Sequence, residues 1–275
     1  MSHTSVRRPR LLTLAERADR HALYQKSVQD PAWEMQFVEQ TFRDLRGRAP
    51  FRLREDFCGT ALAACEWVSR NRRHEAIAVD IDMAVLAWGR EYNLARLGAG
   101  AARRITLLQA DVLKVRSTAA DIVLAFNFSY WVFKERAILK RYFRQVRRGL
   151  ADDGLFMLDA YGGYDAHRRM RERQDFGRFT YIWEQAEYEP VSGQTTCHIH
   201  FSFPDGSRLP RAFSYHWRLW TLPELRELLM EAGFAKVTIY FEGINKRSGE
   251  GNGIFTAAAR GDADAAWIAY LVAEP

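Results

Sequence analysis

The stretch Phe51-Arg-Leu-Arg-Glu55-Asp-Phe-Cys-Gly59-Thr-Ala61 decides the fold of this 275-residue chain. It predicts a strand over 51–55, a tight turn of small residues, and a helix from Ala61 to about residue 70. A strand–turn–helix unit of this kind directs free backbone N–H groups and the positive end of the helix at one point in space. Glu55 and Asp56, at the end of the strand, can accept hydrogen bonds at the same point. The stretch therefore predicts a binding loop.

Strands and helices alternate after this loop. Apolar runs predict further strands over 75–80, 105–109, 121–126 and 154–160, with helices over 82–97 and 134–149. The second strand has the continuous apolar centre Ala-Ile-Ala-Val, which is typical of a parallel strand buried on both faces. Together with strands over 236–242 and 267–273, the pattern predicts an α/β fold with a doubly wound, mostly parallel, seven-stranded sheet. Right-handed crossovers would place the C-terminal ends of the parallel strands at one rim, where ligands bind.

The sequence pattern divides the chain into four predicted parts. Residues 1–20 are expected to be a disordered basic lead-in, and 21–175 to hold two N-terminal helices, interrupted at Asp30-Pro31, and the core. Residues 176–220 alternate apolar and polar positions over 179–189, 195–203 and 211–220, which predicts a small antiparallel sheet inserted after strand five. Residues 221–275 complete the core, beginning with a capping box at Thr221. The glycine-rich segment 243–253 is expected to be a loop.

Composition limits the class of protein. No apolar run approaches the roughly 18–20 residues that span a bilayer, and the three cysteines form no Cys-x-x-Cys pair. We expect a cytoplasmic protein with neither a disulfide framework nor a metal site. The net charge of +6 and pI of about 9.3 fit either a solvated arginine-rich surface or a nucleic-acid footprint.

Acidic or polar residues follow four predicted strands in order: Glu55-Asp56, Asp80, Asp111 and Asn127. In a doubly wound sheet these strand ends are neighbours. In this ordered set, and in its late helix and closing hairpin, the chain resembles the class I S-adenosylmethionine-dependent methyltransferases. The resemblance extends over about residues 24–273 and is closest to bacterial small-molecule methyltransferases with an inserted sheet.

The resemblance implies S-adenosylmethionine as cofactor and S-adenosylhomocysteine as product. The first family motif, an acidic residue followed by x-Gly-x-Gly-x-Gly, matches Glu55 to Ala61. Only Gly59 is retained, because Phe57 and Ala61 replace the other glycines. Glu55 would then approach the methionine ammonium, and the backbone at Cys58 and Gly59 would pass close to the cofactor. The ring of Phe57 must point away from the cofactor or pack against it.

The resemblance assigns the nucleoside to the next two strand ends. Asp80 matches the acid that takes both ribose hydroxyls, since a carboxylate can accept two hydrogen bonds from a vicinal diol. Ile81 would pack on the adenine face. Asp111 and the backbone of Val112 match the pair that contacts the adenine amino edge. Asp111 has an alternative interpretation as the cap of a turn.

Two further residues are implied at the reacting end of the cofactor. Asn127 opens the loop after strand four, beside the departing methyl group. Tyr24 resembles an N-terminal tyrosine that reaches the methionine carboxylate, with core packing as the alternative. Cys58 is interpreted as a small residue of a tight loop rather than a nucleophile, because no basic group nearby in sequence activates it.

The acceptor site is predicted from aromatic residues. The segment Phe126-Asn-Phe-Ser-Tyr130-Trp-Val-Phe133 is similar to the Asn/Asp-Pro-Pro-Tyr loop of amino-group methyltransferases, although both prolines are missing. We predict that Tyr130, as a catalytic residue, and Trp131 line the acceptor pocket. From the inserted sheet, His200 or Tyr215 is the candidate base, and both are predicted to contact the acceptor with Trp217. The alternative is that the aromatic residues pack the insert on the core and the histidines face water.

These residues predict methyl transfer from S-adenosylmethionine to a small molecule, at nitrogen or oxygen rather than carbon, by in-line displacement. An RNA or tRNA base methyltransferase is the alternative, and steeply salt-dependent RNA binding would favour it. A non-catalytic protein of the same fold is a second alternative, and it would show no thermal shift with S-adenosylhomocysteine. The sequence does not set the acceptor or the oligomeric state.

Overall fold

The computed structural model describes residues 10–244 and 251–275. The α-helices formed by these residues are α1 (Leu14–Arg17), α2 (Arg20–Val28), α3 (Pro31–Arg46), α4 (Leu62–Arg70), α5 (Met83–Tyr92), α6 (Ala99–Ala102), α7 (Arg136–Arg148) and α8 (Leu222–Ala232). The strands are β1 (Arg52–Asp56), β2 (Glu75–Asp80), β3 (Ile105–Gln109), β4 (Ala120–Ala125), β5 (Leu150–Gly162), β6 (Met170–Asp175), β7 (Thr180–Glu189), β8 (Gln194–Ser202), β9 (Arg208–Arg218), β10 (Lys236–Ile244), β11 (Gly251–Ala257) and β12 (Trp267–Glu274). No helix within the described ranges is long and apolar enough to cross a bilayer.

A large sheet forms the centre of the molecule. Its strand order is β11-β10-β12-β5-β4-β1-β2-β3. Strands β1 to β5 are mutually parallel, whereas β12, β10 and β11 join the sheet in antiparallel pairs. The order reverses direction at β1, which lies between β2 and β4, so the rim crevice beside β1 is the topological switch point. The predicted doubly wound, mostly parallel α/β fold is confirmed.

The predicted count of seven strands is wrong for the large sheet. Residues 251–257 form an eighth strand, β11, where the sequence predicted a loop over 243–253; residues 245–250 of that loop lie outside the described part of the chain. The strand is glycine-rich and mostly exposed, and backbone pairing with β10 holds it at the edge. It therefore lacks the alternating apolar pattern by which a strand is recognised in a sequence.

The inserted sheet is antiparallel, as predicted, and has the order β6-β7-β8-β9. Its first strand, β6, was not predicted, so the sheet begins at Met170 rather than at residue 176. The β6 sequence Met-Arg-Glu-Arg-Gln-Asp is polar and almost fully exposed. An edge strand of this kind follows β7 through backbone hydrogen bonds and shows no apolar period.

The start of the described chain is ordered, contrary to the predicted disordered lead-in over 1–20. Thr13 and Glu16 form a capping box at α1. The first two N–H groups of this helix, at Leu14 and Ala15, donate to Asp205 and Ser207 at 2.8 and 3.0 Å. These contacts attach the N-terminal segment to the β8–β9 hairpin of the inserted sheet. Residues 1–9 lie outside the described ranges.

Candidate functional site

The loop between β1 and α4 has an unusual backbone. Phe57, Gly59 and Ala61 all have positive φ, at 57°, 53° and 56°. The loop is fixed to the end of β2, because the Cys58 N–H donates to the Val79 carbonyl at 2.9 Å. The left-handed region costs a non-glycine residue roughly 1–2 kcal/mol. Phe57 and Ala61 thus keep the glycine geometry of the family motif without being glycine.

The ring of Phe57 compensates for this strain by packing. It lies 5.8 Å from the Phe133 ring and 5.6 Å from the Tyr142 ring, measured between centroids. Edge-to-face and tilted aromatic pairs at these distances are favourable. The side chain is thus anchored in the aromatic core beside α7.

Glu55 caps α4 from the neighbouring strand. The N-cap position, Ala61, has no side chain that could accept a hydrogen bond, and the Ala64 N–H donates instead to Glu55 Oε2 at 3.0 Å. Glu55 Oε1 has no hydrogen-bond partner among the described residues. Burial raises the pKa of Glu55 to about 8, more than the Ala64 bond lowers it.

Asp56 points to the opposite face of β1, as strand alternation requires. Its carboxylate contacts the Arg54 guanidinium at 2.9 and 3.0 Å, and the Tyr142 hydroxyl donates to it at 3.0 Å. The side chains of Arg54 and Asp56 are both fully buried. The two acids that follow each other at the end of β1 therefore have different roles, one at the rim and one in the core.

A cavity of ≈ 190 Å³, here called the motif cavity, lies above this loop. One wall consists of residues 55–60, and Glu34 of α3 also lines the cavity. The inserted sheet and α2 provide the opposite side through residues that include His21, Tyr24, Phe213 and Tyr215. The cavity therefore lies at the switch point of the sheet, between the core and the insert.

A second cavity of ≈ 440 Å³, here called the insert cavity, lies between β5, β12 and the inner face of the inserted sheet. Its aromatic lining residues are Tyr24, Phe128, Tyr161, Tyr181, Trp183, Tyr215, Trp217 and Trp267. Its acidic lining residues are Asp165, Glu172 and Glu242. Tyr24, Asn127 and Tyr215 line both cavities, so the two spaces adjoin at these side chains.

Asp159 of β5 holds the loop after β4 in place. Asn127 and Phe128 have φ of 57° and 55°, and their N–H groups donate to the two oxygens of Asp159 at 2.8 and 2.9 Å. Two successive left-handed residues are unfavourable without such bonds. Burial raises the pKa of Asp159 to about 7, against the lowering effect of these N–H donors. The Asp159 carboxylate thus fixes the backbone of Asn127, which borders both cavities.

The other predicted strand-end residues lie along the rim, outside the walls of both cavities. Asp80 accepts from the Gly59 N–H at 2.8 Å and the Asp82 N–H at 2.9 Å. Ile81 is 70% exposed beside it. Asp111 accepts from the Leu113 N–H at 2.9 Å. This bond is the one expected if Asp111 caps a turn, the alternative interpretation of this residue.

Comparisons with known proteins agree with this geometry. A family model for a methyltransferase domain matches residues 56–158. A malonyl-[acyl-carrier protein] O-methyltransferase of Geobacter sulfurreducens is 26% identical over 224 residues, which is 82% of this chain and 68% of that protein. Residues 56–158 are thus a methyltransferase domain, and the resemblance to the class I S-adenosylmethionine-dependent methyltransferases is confirmed.

Solved structures of methyltransferases share the fold. An S-adenosylmethionine-dependent methyltransferase from Clostridium acetobutylicum aligns with a TM-score of 0.63 at 16% identity, covering 92% of this chain and 96% of the other. An S-adenosylmethionine-bound amino pentose methyltransferase from Micromonospora echinaspora aligns with a TM-score of 0.64 at 16% identity, covering 97% and 99%. The methyltransferase fold therefore extends over nearly the whole chain.

The described residues fit S-adenosylmethionine as the cofactor. Glu55 lies at the motif cavity with one carboxylate oxygen lacking a protein partner among them, which suits the methionine ammonium. Asp80 lies on the open rim next to exposed Ile81, where a ribose and an adenine have room. Val112 is buried after β3, so only its backbone is suited to the adenine edge.

Tyr130 and Trp131 do not fit the acceptor role predicted for them. Both side chains are fully buried in the core and line neither cavity. The Tyr130 hydroxyl donates to the Asp159 carbonyl at 2.7 Å. A short 3-10 helix over Ser129–Val132 turns both rings away from the rim.

The inserted sheet divides the other candidates between its two faces. His200 lies on the face away from the cavities, where its Nε2 bonds to Glu184 at 2.8 Å and the Arg211 backbone N–H donates to its Nδ1 at 3.1 Å. This placement does not fit a base. Tyr215 and Trp217 lie on the inner face, with stacked rings at 4.3 Å. Burial raises the pKa of Tyr215 well above its usual value, so the phenol is a hydrogen-bond donor rather than a base.

Sequence reasoning missed two buried carboxylates, Glu34 and Asp159. Glu34 precedes Val38 by four residues and Thr41 by seven, so its place on the buried face of α3 was available from helical periodicity. Asp159 interrupts the apolar run 155–160 of β5, which is itself a sign of a required buried acid. Neither could be assigned to a cavity before the packing of α3 and β5 was known.

Helix α5 approaches the motif loop closely enough to give a testable contact. A Cβ atom on Gly89 would overlap the Thr60 carbonyl, whereas one on Gly100 of α6 would touch nothing within 4 Å. Although alanine favours helices, we expect Gly89→Ala to destabilise the fold by about 1–3 kcal/mol through overpacking. Gly100→Ala, the control, should be neutral or slightly stabilising. Urea unfolding of both variants measures the difference, and equal effects would contradict this contact.

Proposed function

We propose that this methyltransferase transfers a methyl group to a small-molecule acceptor in the insert cavity, with the methionine end of the cofactor in the motif cavity. S-adenosylmethionine, when bound, supplies an electrophilic methyl carbon on a sulfonium. The supporting observation is that the two cavities adjoin at Tyr24, Asn127 and Tyr215. In-line transfer needs two such neighbouring spaces, one for each reactant, in a water-poor setting.

The walls of the insert cavity support a small acceptor that is polar and has apolar faces. Rings such as Trp183 and Trp217 can stack on a sugar or another compact ring. The acids of the lining, among them Glu172 and Asp165, can accept hydrogen bonds from hydroxyl or ammonium groups. The shared tyrosines can orient the acceptor, because the Tyr24 and Tyr215 phenols remain protonated at neutral pH.

Nitrogen is the favoured acceptor atom, with oxygen second. Burial raises the pKa of Tyr24 to about 12 and that of Tyr215 well above its usual value, so neither phenol can deprotonate an alcohol near neutral pH. A neutral amine already carries the lone pair that attacks the methyl carbon and needs no base in the transfer step. Acid side chains in the lining then fit an amine that arrives protonated and loses its proton before transfer.

The lining weighs against an RNA acceptor. The described residues of the insert cavity include three carboxylates and no lysine or arginine. Nucleic-acid sites place basic groups against phosphates. The chain's positive charge therefore lies outside the proposed acceptor site.

The test uses S-adenosylmethionine with a panel of amino sugars, simple amines, matched alcohols and short RNA, measuring S-adenosylhomocysteine formation. Trp183→Ala should raise the acceptor KM about tenfold by removing a stacking surface, while the thermal shift with S-adenosylhomocysteine stays unchanged. His216→Ala, on the outer face, is the control and should keep wild-type kinetics. Turnover of RNA alone, or equal kinetics for the two variants, would refute the proposed acceptor site.

A further inference from the structure

We propose that Glu34 of α3 is a second carboxylate for the cofactor's α-ammonium group, facing the motif cavity with Glu55, and that cofactor binding releases a proton from this pair. The inference rests on the placement of the methionine end of the cofactor proposed above. It adds to the motif acid a residue from the N-terminal helices, outside the matched domain.

The position of Glu34 is set by the start of α3. Asp30 caps this helix through the Trp33 N–H at 3.2 Å, and Pro31 occupies its first turn. Glu34 follows one turn later, on the same buried face as Val38. Its side chain is only 9% exposed and yet lines the motif cavity.

No described side chain or backbone N–H forms a hydrogen bond with the Glu34 carboxyl. Its nearest carboxyl neighbours raise its pKa further rather than lowering it. A buried carboxyl group without a donor is unfavourable when ionised. Aimed into a cavity, it therefore indicates a ligand that brings N–H donors and positive charge.

The described titratable groups around Glu34 supply no positive charge that could pair with its carboxylate. The titratable residues that face Glu34 or Glu55, or that line the same cavity, are Asp30, Asp56, Asp80, Asp159, His21, Tyr24, Cys58, Cys65, Tyr215 and Tyr270. The described lining of the motif cavity contains no lysine or arginine, and burial lowers the pKa of His21, which keeps that ring neutral. Arg54 is already paired with Asp56, so a bound ammonium would be the only full positive charge within the described lining of this cavity.

The proposed proton release sets the direction in which cofactor affinity depends on pH. Burial raises the pKa of both Glu34 and Glu55 to about 8 in the free protein, so both are largely protonated at pH 7. An ammonium group favours their ionised forms and lowers these pKa values in the complex. Ionisation leaves a carboxylate that accepts from the ammonium, and the proton passes to solvent. Affinity should therefore rise with pH between about 6 and 8 and level off above that range.

The experiment is isothermal titration calorimetry of the full chain with S-adenosylhomocysteine in two buffers of different ionisation enthalpy. The comparison ligand is 5′-methylthioadenosine, which keeps the nucleoside and thioether but lacks the ammonium and carboxylate. The wild type should release protons with S-adenosylhomocysteine and none with 5′-methylthioadenosine. Glu34→Gln should reduce proton release and weaken S-adenosylhomocysteine about 10- to 100-fold, leaving 5′-methylthioadenosine within about twofold.

Glu39→Gln is the matched control on the same helix. Glu39 pairs with Arg43 and Arg70 at the surface, so its variant should bind both ligands as the wild type does. Equal weakening of both ligands by Glu34→Gln, or S-adenosylhomocysteine binding without proton release, would overturn the role of Glu34. Failure of the wild type to bind either ligand would overturn the cofactor placement itself. Normal binding without activity on any acceptor would instead contradict the proposed function alone.

Discussion

Asp80→Ala is expected to weaken S-adenosylhomocysteine binding by more than about 100-fold. The variant removes the carboxylate that the family resemblance assigns to the ribose hydroxyls, and hydrogen bonds to a charged group contribute about 1.5–3 kcal/mol each. It also frees the Gly59 N–H, which donates to Asp80 at 2.8 Å. Both losses act on the same ligand, because Gly59 lies in the loop that lines the motif cavity. Titration calorimetry with S-adenosylhomocysteine measures the effect.

Asp82→Ala provides the control for this prediction. Asp82 lies two residues further on and caps α5 through the Ala84 N–H at 2.8 Å. Loss of an N-cap costs about 1 kcal/mol of stability, so this variant should lower the thermal midpoint while changing the affinity less than about threefold. Asp80→Asn, which retains one acceptor oxygen, should fall between the two. Similar affinities for Asp80→Ala and Asp82→Ala would remove Asp80 from the ribose site.

The buried pair Arg54–Asp56 should give the largest stability effect. Asp56→Ala leaves the Arg54 guanidinium fully buried without its only acid contact among the described residues, which costs about 3–5 kcal/mol. The Tyr142 hydroxyl loses its acceptor as well. Urea unfolding at constant pH measures the free energy of unfolding, and the transition should move to much lower urea concentration.

Two comparisons separate the buried charge from a general packing effect. Glu75→Ala breaks the partly exposed pair with Arg52, and such pairs contribute about 1 kcal/mol or less. The double variant Arg54→Met/Asp56→Leu replaces both charges by apolar groups and should recover most of the stability lost in Asp56→Ala. A double variant no more stable than Asp56→Ala would show that packing volume, and not the unpaired charge, is responsible.

Much of the rim could be predicted from the sequence because strand order and side-chain alternation are local properties. The apolar runs located β1, β2, β3, β4 and β5 to within a few residues, apart from the longer ends of β5. Since parallel strands end at one rim, the sequence alone predicts that Glu55, Asp80, Asp111 and Asn127 lie along it. The edge strands β6 and β11 were missed, because exposed polar strands carry no apolar period.

The acceptor side was predicted less well, since a sequence period separates two faces without saying which one is buried. His198 and His200 share one face of β8, as period two requires, and Ile199 and Phe201 share the other. Only packing against β5 and β12 shows that the Ile199 face lines the insert cavity. Tyr130 was misplaced for a similar reason, because the turn after β4 directs its ring into the core.

The sequence by itself determined the doubly wound sheet, the binding loop at Gly59 and the ordered acids of the rim, because these follow from periodicity and chain order. The tertiary structure alone decided which carboxyls share a space. It separated Asp56 from Glu55 by pairing it with Arg54, and it brought Glu34 to the motif cavity. Burial and charge pairing depend on neighbours distant in sequence, and those neighbours are set only when the helices and the insert pack on the sheet.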